Sequence, residues 1–124
     1  NVKPEDESTP TIFAFSRIWV TNRLRVKPEE LSVVVVLCFS MAGVLEDQDY
    51  VLVDCSNKTV NVDGVYVIQQ DGHLIIKRIQ RLPGGKLRLS SANSAYQPFT
   101  IHLNVKTEGF NIVGKIIWFS RQMA

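Results

Sequence analysis

At 124 residues, 45% apolar and 21% charged, the chain is long enough for one self-sufficient core and ordinary in composition for a globular domain. A net charge of +2 is too mild to argue for nucleic-acid binding by this chain alone. The longest apolar run, Val33 to Phe39, falls far short of the about 20 residues that cross a bilayer.

Two cysteines, Cys38 and Cys55, lack metal-ligand spacing and fit a reducing compartment. No secretory signal is visible, and neither a metal nor another cofactor is expected. Asn1 in place of a methionine suggests a fragment or a processed product.

Residues 1–11 are polar and acidic, with Pro4, Pro10 and Glu5-Asp6-Glu7, and are expected to be a linker or tail. The domain proper is then 12–124. In IFAFSRIWVTNRLRV, Phe15, Ile18 and Trp19 fall at i, i+3, i+4, the spacing of a short helix packed on a sheet. One helix near Phe15–Arg23 is predicted, with Ser16 as N-cap and Pro28 limiting its extent.

Beyond Lys27-Pro28-Glu29-Glu30 the β-branched content rises. Ser32–Phe39 is a continuous apolar strand expected to be buried on both faces. Tyr50–Asp54, Gly64–Gln70, His73–Leu82, Lys86–Ser90, Phe99–Val105 and Phe110–Ser120 are further strands. Asp71-Gly72 predicts a hairpin, Pro83-Gly84-Gly85 another turn, and Gly114 a bulge or a close approach. The whole is a mainly β fold, a closed or strongly bent sheet with one short N-terminal helix.

Ser40 follows the first apolar strand and precedes a turn of small residues. There the backbone can aim its hydroxyl and free N–H groups can face an oxyanion. Lys77, in HLIIKRIQRL, shares a strand face with Ile75 and Ile79. Loss of hydration there favours a neutral amine, which can take a proton from a serine. On periodicity alone the favoured reading is a lysine snorkelling from a strand edge into water.

His73 and His102 have no local Ser–His or metal spacing. Asp47, Asp49 and Asp54 lack the spacing of a calcium loop and are simpler as turn and strand-end residues. The basic run Lys77, Arg78, Arg81, Lys86 and Arg88, without interleaved aromatics, is a solvated hairpin rather than a nucleic-acid groove.

Several blocks taken in order resemble one family. Ser40-Met41 is followed by Leu45, Asp47-Gln48-Asp49 and Val51-Leu52-Val53-Asp54. Then come Asp63-Gly64-Val65-Tyr66-Val67, Ile76-Lys77-Arg78-Ile79, Arg81-Leu82-Pro83-Gly84-Gly85 and Ile112-Val113-Gly114-Lys115-Ile116. From about Phe13 onward the chain is similar to the C-terminal domains of LexA-like and phage repressors, the self-cleaving Ser/Lys peptidases that include UmuD. FAFSRIWV resembles the F-x-R-x-W-L helix of the longer phage repressors.

The resemblance implies a LexA-like C-terminal fold of strongly bent sheets, with Ser40 as nucleophile and Lys77 as base. Met41 would lie beside the oxyanion site. It also implies a homodimer or higher oligomer, contact with a RecA filament, and operator DNA bound only through an N-terminal domain absent from this chain. The setting would be the cytoplasm of a bacterial host, with no membrane partner.

Three departures stand out. Cys38-Phe39 replaces Gly-Asp before the serine, Met41-Ala42-Gly43-Val44 replaces M-x-P-T, and Gln48 replaces the central glycine of D-G-D. The family cleaves at Ala-Gly or Cys-Gly upstream of the domain, whereas the Ala-Gly here, Ala42-Gly43, follows the serine. A catalytically inert dimerisation module is therefore the alternative expectation. A general hydrolase like the related signal peptidases is a third, which no membrane segment supports.

Overall fold

The computed structural model describes residues 2–4, 13–37 and 41–123. Eight strands form one antiparallel sheet in the order β1-β2-β3-β8-β4-β5-β6-β7. They are β1 (Val2–Pro4), β2 (Leu31–Val36), β3 (Tyr50–Asp54), β4 (Gly64–Gln70), β5 (His73–Leu82), β6 (Lys86–Ser90), β7 (Phe99–His102) and β8 (Phe110–Ser120). β1 pairs with β2 along its length and meets β5 at Val2↔Leu74. That second pairing closes six strands into a ring and leaves the β6–β7 hairpin appended to β5. β1 comes from the stretch expected to be linker or tail, and its backbone is part of the sheet.

The strands follow from β-branched runs punctuated by turn residues. Asp71 and Gly72 both take positive φ, 50° and 82°, as the tight β4–β5 hairpin requires. Tyr66, Val67 and Ile68 are fully buried in succession, so β4 has a core on each face. Val67 packs with Val34, Val36, Met41, Leu45, Val51, Val53 and Ile76. Tyr66 and Ile68 pack instead with Val60, Ile79, Leu87 and Leu89. Double-sided burial is found in β3 and β4, while β2, where it was expected, alternates, with Val34 and Val36 buried and Ser32 exposed. β2 is described to Val36, whose N–H donates to the Asp49 carbonyl and whose carbonyl accepts from the Gln48 N–H. Cys38 and Phe39, to which the strand was expected to run, lie outside the described residues. β7 stops at His102, where Leu103 and Val105 enter a turn closed on the Gly85 and His102 carbonyls.

The helix is short: one α turn, α1 (Arg17–Trp19), continues into a wider-wound turn over Val20–Leu24. Ser16 caps it as expected, its hydroxyl accepting from the Trp19 N–H at 3.3 Å. Phe15 and Trp19 stack at 5.8 Å, and each meets the Trp118 ring of β8 edge-on, at 5.7 and 5.8 Å. Contacts of this kind add about 0.5–1.5 kcal/mol each beyond area burial. Ile18, expected on the same face, points to solvent at 71% exposure, because Phe15 precedes the extended N-cap Ser16 and lies outside the helix, so helical spacing from Phe15 does not bring Ile18 to its side.

Candidate active site

Lys77 lies in the middle of β5, opposite Tyr66 of β4. Its neighbours Ile75 and Ile79 pack with one core cluster, and Leu74 and Ile76 with the other. Lys77 itself is half-buried, whereas Arg78 is exposed. The Lys77 Nζ donates to Ser91 Oγ at 2.8 Å and lies 5.5 Å from the centroid of the Tyr96 ring. The lysine is therefore anchored within the fold rather than extended from a strand edge into water.

Ser40 falls outside the described residues, as does Cys38-Phe39 before it. Its neighbour Met41 is fully buried in the first core cluster, worth about 1.5–3 kcal/mol of apolar transfer. The Met41 carbonyl accepts from the Leu45 N–H at 2.8 Å and the Val44 N–H at 3.0 Å, winding residues 41–45 into a tight turn. The Met41 Sδ accepts from the Ala92 N–H at 3.4 Å. Ala92 directly follows Ser91, so a single short segment touches both Lys77 and the residue after Ser40.

The loop is braced from its far end. The Gly43 N–H donates to Glu46 Oε1 at 2.8 Å, and the Glu46 N–H donates to Asp49 Oδ2 at 2.8 Å. Asp49 is buried and receives two bonds from Arg121, Nε to Oδ1 at 2.9 Å and Nη2 to Oδ2 at 2.7 Å. Burial pushes the Asp49 carboxyl up, but the Arg121 bonds, the Glu46 N–H and the Arg121 charge outweigh it and hold the group below its ordinary value. The same pairing raises Arg121.

The remaining acidic candidates have structural duties. Asp54 caps the turn after β3, accepting from the Ser56 N–H and hydroxyl and from Asn57 Nδ2. Asp47 accepts from the adjacent Gln48 side chain at 3.2 Å. His73 and His102 are both exposed and stand on different strands. Among the described residues no three His, Cys, Asp or Glu side chains gather where a metal ion would sit.

Ser91, Tyr96 and Arg121 escaped the sequence reading. Ser91 and Tyr96 lie in a polar stretch without periodicity, and Arg121 lies beyond the last strand. All three reach the site only through tertiary packing.

The closed antiparallel sheet with one short helix is the fold that the resemblance to LexA-like and phage repressor C-terminal domains implied. The chain belongs to the Peptidase S24-like family, whose profile matches residues 3–117. It is 36% identical over 91 residues to the repressor protein CI of Enterobacteria phage phi80, covering 68% of this chain and 36% of that protein. It is 28% identical over 83 residues to the HTH-type transcriptional regulator PrtR of Pseudomonas aeruginosa, covering 65% of this chain and 32% of that one. The chain thus spans about a third of the length of these curated relatives. Among the described residues no helix is long and apolar enough to cross a membrane.

Proposed function

We propose that the chain is the oligomerisation and self-cleavage domain of a phage-type transcriptional repressor, with Ser40 as nucleophile and Lys77 as base. The observation that carries this is the Ser91-Ala92 segment, which bonds Lys77 through one residue and Met41, next to Ser40, through the other. The two relatives' names, a repressor and an HTH-type regulator, support a DNA-binding region outside this chain. Association through this domain would place two such regions on two half-sites and raise affinity by avidity.

In the reaction, the neutral Lys77 amine takes the Ser40 hydroxyl proton as Oγ adds to the scissile carbonyl. N–H groups at the start of the 41–45 turn face the developing oxyanion. The tetrahedral adduct collapses by breaking the C–N bond, and the lysine's proton passes to the leaving amine. Water then hydrolyses the acyl ester. A RecA filament is the expected promoter of this step by family likeness.

The parent repressor incubated over a pH series tests the reading. Two fragments are expected to form faster as pH rises, since only the unprotonated amine accepts a proton. Ser40→Ala and Lys77→Ala are expected to abolish cleavage while leaving the oligomeric state unchanged. A parent that stays whole at alkaline pH and with RecA filaments favours the second reading, a dimerisation module with an inert dyad. Cys38-Phe39 in place of Gly-Asp, beside the serine, is the observation behind that alternative.

A further inference from the structure

Strand β6 leaves β5 at the pair Arg78↔Ser90. The next residue, Ser91, is thereby delivered beside Lys77, one position back along β5, and its Oγ accepts from the amine at 2.8 Å. The ring of Tyr96, from the same connection to β7, flanks the amine at 5.5 Å. Ala92 turns the other way: its N–H donates to Met41 Sδ, and its side chain packs against the first core cluster.

We infer that Ser91 is a positioning residue for the Lys77 amine. The inference rests on the reading of Ser40 and Lys77 as the dyad. A lysine side chain carries about 2 kcal/mol of rotamer entropy, so an unanchored amine samples many positions a serine cannot use. A hydroxyl acceptor and an aromatic face confine it. A carboxylate in the place of Ser91 would also confine it, but would favour the charged amine, which is useless as a base. A neutral hydroxyl holds the amine without that bias. The Ala92–Met41 contact ties this anchor to the buried Met41 side chain.

The test uses a fluorophosphonate, which reports serine activation without needing a cleavage site in the chain. The serine oxygen displaces fluoride from phosphorus, and the hydroxyl proton passes to Lys77. Labelling rates are measured on the 124-residue chain, and the adduct is located by peptide mass spectrometry. Wild type is expected to label at Ser40, and Lys77→Ala is expected to lose labelling. Ser91→Ala is expected to label about tenfold to a hundredfold more slowly at saturating pH, the scale of a misplaced catalytic group. Its melting temperature should match wild type, and Ser91→Thr should recover most of the rate.

Should Ser91→Ala fail to fold, Ser91→Val against Ser91→Thr makes the same comparison, since the two differ only in the hydroxyl. Equal labelling of the hydroxyl-bearing and hydroxyl-lacking variants overturns the inference while leaving the dyad standing. An adduct on Ser91 itself also overturns it. A wild type that does not label, or a Lys77→Ala variant that labels as fast, removes the dyad reading and this inference together.

Discussion

Gln48 holds a backbone conformation, φ 72°, that glycine reaches without strain and that costs other residues about 1–2 kcal/mol. It stands where the family motif has the glycine of D-G-D, and the geometry explains why that motif wants one. The Gln48 N–H must turn to reach the Val36 carbonyl while Asp49, one residue on, receives the Val36 N–H. Asp49 then turns its carboxylate inward, where Arg121 meets it from beyond β8. Because the Asp49 pKa is held below its ordinary value, its contribution to stability is present above the unfolded-state pKa and is lost as pH falls through the folded one. Arg121→Ala leaves burial pushing the carboxyl up. The wild-type advantage over Arg121→Ala should therefore be full at neutral pH and shrink through the acidic range. Urea midpoints for both proteins at a series of pH values check this; a gap that stays constant with pH would refute it.

At the scale of elements, β8 is the strand on which the others are arranged. It pairs with β3 and β4, and each pairing slips by one residue, between Leu52 and Val53 on one side and Val67 and Ile68 on the other. Such bulges bend a strand and increase its local twist, which helps an open sheet curl towards closure. Gly114 lies between the two slips. A Cβ there would stand 2.5 Å from the Asp54 carbonyl oxygen and 2.7 Å from a Val53 methyl. The first of those is backbone and cannot swing aside. Gly114→Ala should cost about 1–3 kcal/mol, the range for overpacking a close-packed site, read as a lower urea midpoint with an unchanged slope. An unchanged midpoint would mean that β8 can move away from β3 without loss.

For the whole molecule, the ring closed by β1 leaves few open edges, but β8 outruns one neighbour. Beyond Lys115 its described pairing is with β3 alone, so residues 117–120 retain one strand edge. Phe119 stands on this stretch at 45% exposure, its ring 5.2 Å from the Arg121 guanidinium. An unpaired edge flanked by an exposed aromatic is a template for adding a strand from a second copy. The chain should sediment as a dimer at tens of micromolar, a range that detects even modest affinity. Phe119→Asp should give the monomer with an unchanged far-UV spectrum. A wild type that sediments only as monomer, or a Phe119→Asp variant that remains dimeric, would sink this reading.

Local chemistry wrote much of this fold into the sequence. Alternating and β-branched runs named the strands, Asp71-Gly72 named its hairpin, Ser16 named the helix start, and the order of motif blocks named the family. Each is a preference of a few consecutive residues, so one sequence suffices to show it. Lys77 was legible as a lysine with isoleucines two residues away on either side, but that spacing by itself favoured a side chain reaching into water, and its half-burial came from the tertiary structure. Its partners were not legible, because Ser91 and Tyr96 lie 14 and more residues along the chain in a stretch with no pattern of its own. The Asp49–Arg121 bond joins residues 72 apart. Whether β1 lies free or closes the ring likewise depends on where β2 and β5 end up. Long-range pairing is decided by the shape of the completed sheet, and only the tertiary structure holds that information.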